Sequence, residues 1–191
     1  MHKVAVFVGS LRADSINLKF ARALEKLAAG KLEFVYPDLG SLPLYNDDLW
    51  ASPPASVLRL KDDIAAADAV LFVTPEYNRT IPSVLSNAIF WGSRPWGKNS
   101  WADKPGSVVG TSPGGIGTAV AQSHLRSVVT NLEVILMGQP EVYFQTKPGL
   151  IDDDFTVTDP DTRAFLEGYI SRLTNWIQRH TQDAVSSIAA E

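Results

Sequence analysis

The sequence predicts a single α/β domain built on a doubly wound parallel sheet, and three observations carry that prediction. Four short β-branched and apolar runs occur at Val4–Val8, Leu32–Tyr36, Ala69–Thr74 and Ser107–Gly110. They are continuous rather than alternating, as expected for strands covered on both faces. Helical spacing of apolar residues falls between the runs, and strict strand–helix alternation implies right-handed crossovers in one sheet. The first, third and fourth runs also end in chemically distinctive loops, Gly9–Asn17, Pro75–Thr80 and Thr111–Gly117. Ligands of such sheets sit outside the carboxyl ends of the strands, where the strand order switches.

Each element has its own signal. After the first strand, Ile16, Phe20, Ala23, Leu24 and Leu27 form one apolar helical stripe. Ile81, Val84, Leu85, Ala88 and Ile89 form a second, following the third strand. A fifth and weaker strand lies near Val134–Val142. Asp159-Pro160 then supplies a cap with proline at the first helical position. In the helix that follows, Phe165, Leu166, Tyr169, Ile170, Leu173, Trp176 and Ile177 are read as core-facing. Residues 37–54 form a long proline-containing connection. The single domain is placed at 1–180, with 181–191 as a frayed tail.

Composition narrows the possible partners. The chain has 191 residues, no cysteine and a formal net charge of −4, with basic and acidic residues interleaved. It is long enough for one sizeable core. Interleaved charge argues against nucleic acid or an anionic membrane surface as partner. Without cysteine there is neither disulfide framework, thiolate metal site nor cysteine nucleophile. No stretch approaches the ~20 apolar residues that span a bilayer. The first strand starts at the N-terminus without a secretory signal, so a cytoplasmic location is expected. The three histidines are far apart and lack acidic residues at metal-ligand spacing, so no metal is expected. Asp152-Asp153-Asp154 reads as a solvated loop.

The loop Gly9–Asn17 enters a helix N-terminus, whose orphan N–H groups and partial positive charge favour an anion. Ser10, Arg12, Ser15 and Asn17 add hydroxyls, a guanidinium and an amide, which suit a phosphate. Asp14, the one acid there, is read as help for the helix cap. No Gly-Lys-Ser/Thr follows Gly9, which excludes a P-loop, and Gly9 lacks the partner glycines of a dinucleotide fingerprint. A monophosphate therefore fits this loop better than an ordinary capped turn. In the second loop, Tyr77 offers a flat face to a ring, while Glu76 and Asn78 offer hydrogen bonds at its edge. The third loop, with Gly114, Gly115 and Gly117, reads equally as a flexible turn or as a ligand wall approached by backbone.

Together, Gly9-Ser10-Leu11-Arg12-x-x-Ser15-x-Asn17 and Pro75-Glu76-Tyr77-Asn78-x-x-x-Pro82-x-x-Leu85-x-Asn87-Ala88-Ile89-x-Trp91 resemble the NADPH-dependent FMN reductase family, in its quinone and chromate reductase branch. The resemblance implies a flavodoxin-like, five-stranded parallel sheet of order 2-1-3-4-5 with helices on both faces. It implies bound FMN, NADPH or NADH as donor, and a small-molecule electron acceptor such as a quinone, flavin, azo dye or chromate. Ser10, Arg12, Ser15, Ile16 and Asn17 would hold the FMN phosphate. Pro75, Glu76, Tyr77 and Asn78 would line the isoalloxazine, and Ser112, Gly114 and Gly115 would close the ribityl side. Hydride passes from donor to flavin and on to acceptor across one open face, a ping-pong cycle that needs no protein acid, so no catalytic side chain is assigned.

The resemblance also implies a homodimer or homotetramer. Ser86 and Phe90 depart from the family pattern, where lysine and aspartate are usual. Phe90 lies off the apolar stripe, and with Trp91, Trp96 and Trp101 it suggests a subunit interface. Arg126 and Glu141 resemble positions used between dimers, though solvated surface charge is the default reading for both. Lys104 and Arg79 are candidates for attracting an anionic substrate. The rival functions are an FMN-bearing electron carrier, disfavoured by the modest net charge, and a non-catalytic FMN-binding module.

Overall fold

The computed structural model describes residues 1–188, with side chains described through Thr181. Strands β1 (His2–Val8), β2 (Leu32–Val35), β3 (Ala69–Val73), β4 (Pro105–Ser112) and β5 (Ile135–Leu136) form a sheet of order β2-β1-β3-β4-β5, and every pairing is parallel. The doubly wound order expected from the sequence is present.

The fifth position differs from expectation in one respect. It is filled by two pieces, β5 against Pro105 and Gly106, and β6 (Val142–Gln145) against Val109–Ser112. The Met137 N–H still bonds the Gly106 carbonyl, at 2.8 Å, but residues 138–141 leave the ladder, and Pro140 in that stretch has no N–H to give it. The Arg126 guanidinium occupies the break, donating to the Val108 carbonyl at 3.1 Å and the Met137 carbonyl at 3.2 Å. Glu141 lies 3.9 Å from it. Arg126 therefore closes the sheet within the subunit.

Five helices cover the sheet. α1 (Ile16–Leu27) and α5 (Pro160–Ile188) pack on one face through Phe20, Leu24, Leu166, Tyr169 and Ile170. On the other face lie α2 (Ala55–Ala65), α3 (Ser83–Gly92) and α4 (Ala119–Asn131), packed through Leu60, Ile64, Leu85 and Leu125. Each such side chain, fully buried, contributes about 1.5–3 kcal/mol of transfer free energy. Alternate β1 residues feed the two layers: Val4 and Val6 one, Ala5 and Phe7 the other. α5 runs into the segment read as a tail; residues 189–191 and the side chains after Thr181 lie outside the described part.

Several residues read as core-facing are not. Ile16 and Phe165 are exposed, because each sits where its helix begins, above the end of the sheet. Conversely, Trp91 and Trp101 are fully buried and belong to the core rather than to an interface, leaving Phe90 and Trp96 exposed. Trp91 and Asn87 anchor the 37–54 connection. The Trp91 indole N–H and the Asn87 amide both donate to the Pro43 carbonyl, and the Asn87 oxygen accepts from the Tyr45 N–H at 2.8 Å. Lys104 donates to the carbonyls of Ala65 and Ala67 just ahead of β4. That is the edge of the sheet opposite the loops, so Lys104 plays no part in attracting a substrate to them.

α5 begins with a carboxylate cap. Asp159 accepts the Thr162 N–H at 2.8 Å, and hydrogen bonds from Thr162 hold its pKa below the ordinary 3.8. A depressed folded-state value stabilises the fold above the unfolded value and loses that contribution as pH falls through the folded one. Asp159→Asn keeps a capping oxygen and is expected to flatten the low-pH arm of a thermal-midpoint titration. An unchanged acid arm would contradict this.

Candidate functional site

The three loops meet at the carboxyl edge of the sheet around a cavity of about 290 Å³. Its walls include Ser10, Arg12, Ser15, Ile16 and Asn17 from the first loop, Pro75, Glu76 and Tyr77 from the second, and Ser112 from the fourth-strand loop. Asn78, Gly114 and Gly115 were expected there too, and they do not border it. Asp14, read as help for the cap, Thr111 and Pro113, in the third loop, and Thr146 also line it, though none of them was assigned to a ligand.

Close packing makes the meeting possible. The Gly9 N–H donates to the Val73 carbonyl at 2.9 Å, which continues the β1–β3 ladder into the loop. A Cβ on Gly9 would lie 3.0 Å from the Pro75 side chain, so glycine lets the first two loops touch. Gly117 has φ +59, and its Cβ would fall 2.4 Å from the Tyr143 backbone. In the third loop, Gly117 is the glycine that the fold demands; nothing lies within 4 Å of a Cβ on Gly115.

The helix N-terminus at the cavity is arranged for an anion. Ser15 is the cap, its hydroxyl accepting the Leu18 N–H at 3.2 Å. Asp14 is not the cap and faces the cavity instead. The first-turn N–H groups of Ile16 and Asn17 have no carbonyl four residues back to bond. Arg12 is exposed at the rim with neither hydrogen-bond nor ion-pair partner among the described residues. The Thr111 hydroxyl is buried without a partner beside it. The Arg12 guanidinium and the α1 N-terminus thus face one space.

Two residues expected to face a ligand through their side chains are committed elsewhere. The buried Asn17 amide donates to the Thr111 carbonyl and accepts the Thr111 N–H, both at 3.0 Å, fastening α1 to β4 like a short ladder. What Asn17 offers the cavity is its backbone N–H. One Glu76 oxygen accepts the N–H groups of Val120 and Ala121, each at 3.0 Å, and the other accepts from Arg79 at 2.9 Å. α4 needs this remote cap because Thr118, at φ 68, supplies no side-chain cap of its own. Arg79 is thereby tied beside the loop.

The Tyr77 bend is a two-residue hairpin. Tyr77 and Thr80 exchange both backbone hydrogen bonds, and Asn78 and Arg79 have φ of 51 and 61. Positive φ at both central residues is what a type I′ turn requires. The bend lifts Tyr77 to the mouth, where its side chain is half exposed.

A parallel sheet of order β2-β1-β3-β4-β5, with the loops after β1, β3 and β4 meeting at its carboxyl edge, is the flavodoxin-like arrangement. The chain belongs to the NADPH-dependent FMN reductase family, whose model matches residues 2–149. It is 47% identical over 176 residues to a 2-hydroxy-1,4-benzoquinone reductase from a Burkholderia species, covering 92% of this chain and 96% of that one. It is 44% identical to a quinone reductase of Pseudomonas putida, covering 93% and 96%. Among solved structures, FerB of Paracoccus denitrificans, described as a flavoenzyme NAD(P)H:(acceptor) oxidoreductase, superposes with a TM-score of 0.93 at 50% identity, over 94% of this chain and 99% of that one.

Proposed function

We propose that this member of the family uses FMN to carry electrons from NAD(P)H to a quinone, in a ping-pong order. The FMN and NAD(P)H parts follow from the family, and the quinone from relatives that align over nearly their whole length. The observation that carries the site assignment is the convergence of Arg12, the Ser10 and Ser15 side chains and the α1 N-terminus on one cavity.

These residues fit a flavin mononucleotide. Its dianionic phosphate would be held by Arg12, the Ser10 and Ser15 hydroxyls, and the N–H groups of Ile16 and Asn17. Pro75 and Tyr77 would pack on the ring, while Glu76 positions their loop from behind. Asn78, Gly114 and Gly115, which do not border the cavity, would touch the flavin only beyond it. Bound FMN supplies a centre that accepts and returns a hydride. The chain would contribute binding and orientation, and donor and acceptor taking turns at the mouth beside the half-exposed Tyr77 would give the ping-pong order.

The oligomeric assignment remains a homodimer or homotetramer, with exposed Phe90 and Trp96 as contacts. A cytoplasmic location fits an enzyme that draws on NAD(P)H.

Removing the cradle's cation isolates its share. Arg12→Ala is expected to weaken FMN binding by about 1–3 kcal/mol, the range for losing a charge-assisted hydrogen bond, with little change in the unfolding midpoint. Equal retention of flavin by wild type and variant would contradict the cradle. The function itself is tested by anaerobic mixing of FMN-loaded protein with NADPH and then a benzoquinone. Flavin absorbance should bleach on the first addition and return on the second, and absence of bleaching would contradict a reductase.

A further inference from the structure

The geometry points to a seat for the far end of the donor: we infer that two depressions beside the cavity take the diphosphate and the adenosine of NAD(P)H, the first between Lys19 and Lys147 and the second against Phe155. The inference rests on the reductase reading above and adds where the unreacting part of the donor is held. Both depressions adjoin the cavity. One, of about 340 Å³, shares Ile16, Pro113 and Thr146 with it, and the other, of about 490 Å³, shares Asp14, Ser15 and Ile16. Ile16, exposed at the start of α1, borders all three. A dinucleotide that reaches past the flavin phosphate crosses this ridge.

The two depressions differ in chemistry as the two parts of such a donor do. Two lysines and no acid line the smaller one. Lys19 pairs with Asp153 at 3.2 Å and Lys147 lies near Asp159, yet neither carboxylate borders this space. Asp153 is fully exposed, so its ion pair is weak and yields to a doubly charged ligand. An ammonium has three donors, which leaves Lys19 two beyond that bond. The larger depression offers an aromatic face instead, Phe155, with Ile16 and Leu18 beside it. It runs from Ser15 to Arg22, about 10 Å along α1 at 1.5 Å per residue, and its size is that of a ligand pocket. Its cations are already offset, Lys19 by Asp153 and Arg22 by Glu25 at 2.8 Å. That suits an uncharged base better than another phosphate.

Phe155 is kept in place against a conformational cost. Its φ is 62, in the left-handed region that a bulky side chain rarely enters. Glycine or asparagine would occupy this position at less cost. The residue sits at the tip of a hairpin, where its N–H donates to the Asp152 carbonyl at 3.1 Å and the Thr156 N–H donates to the Asp152 carboxylate at 2.7 Å. Lys26 fastens that tip to α1 by donating to the Asp154 carbonyl at 2.9 Å and the Thr156 hydroxyl at 2.7 Å. An exposed aromatic ring on a fastened, strained turn above a groove is a stacking platform.

Calorimetric titration of the oxidised, FMN-loaded protein with ADP-ribose tests this, because ADP-ribose carries the diphosphate and adenosine without the nicotinamide. It should bind wild type. Phe155→Asn, which suits the left-handed backbone, should weaken it at least about fivefold, as should Lys19→Gln with Lys147→Gln, while Phe155→Tyr keeps it. FMN retention should be equal in all of them. In anaerobic reduction the same weakened variants should raise the dissociation constant for NADH at least about fivefold. That for dihydronicotinamide riboside, which has neither diphosphate nor adenine, should stay unchanged, with the limiting bleaching rate intact. ADP-ribose that fails to bind wild type, or binds every variant alike, would overturn the inference. So would loss of FMN from the lysine variant, which would give that depression to the flavin. Bleaching by neither donor would contradict the reductase reading itself, and the titration would still decide the groove.

Discussion

Asn17→Ala is expected to lower the unfolding free energy by about 3 kcal/mol, the largest effect of any single side-chain truncation at the cavity. The amide is buried and makes two hydrogen bonds to the Thr111 main chain. Truncation leaves the Thr111 N–H and carbonyl without partners in a place water reaches poorly, at about 1–3 kcal/mol for each group. The damage extends beyond stability. Asn17 fixes where the α1 N-terminus stands against β4, and Thr111 borders the cavity from the other side. FMN affinity should therefore fall with stability, whereas Arg12→Ala lowers affinity alone. Urea denaturation of the FMN-free protein, paired with FMN titration, separates the two. A variant with wild-type unfolding free energy would show that this clamp holds nothing.

Glu76→Ala should cost about 2–3 kcal/mol. Its carboxylate is nearly buried and accepts two N–H groups at the start of α4, where charge-assisted hydrogen bonds and the helix dipole both favour an anion. Alanine removes the acceptor and releases Arg79. Glu76→Gln retains an oxygen for the two N–H groups and should recover at least half of the loss. The functional effect is on position: the Tyr77 bend and the 111–118 loop are tied together through this carboxylate, so flavin binding should weaken in the same order as stability, Gln before Ala. If Glu76→Gln were as damaging as Glu76→Ala, a capping role would be wrong.

The same residues show what the sequence discloses and where it stops. The sheet was legible because its central strands are buried on both faces, so apolar runs at Val4, Ala69 and Ser107 stand out without any partner being known, while the edge run at Leu32 alternates, with Glu33 exposed. That the first loop borders the cavity was legible for a similar reason: Ser10, Arg12 and Ser15 lie together in one loop after the first strand. Asn17 and Glu76 were correctly placed at the cavity, but their side-chain duties were not legible. Their partners lie 94 and 44 positions away, and nothing local in either loop announces Thr111 or the α4 N-terminus. Thr146 was missed because the fifth strand is broken, which moved the strand end beyond Val142. The break depends on Arg126 reaching across from α4, and a lone arginine on a helix reads as solvated charge. Ile16 and Phe165 matched helical periodicity and still face outward, since periodicity does not tell where a helix overhangs its sheet.

The most direct test of the account compares two flavins on the FMN-free protein. Riboflavin carries the same ring and ribityl chain as FMN without the phosphate. If the loop from Ser10 to Asn17 grips that phosphate, FMN should bind wild-type protein at least a hundredfold more tightly than riboflavin, and Arg12→Ala should narrow the gap while leaving riboflavin unchanged. Equal affinity for the two flavins would contradict it.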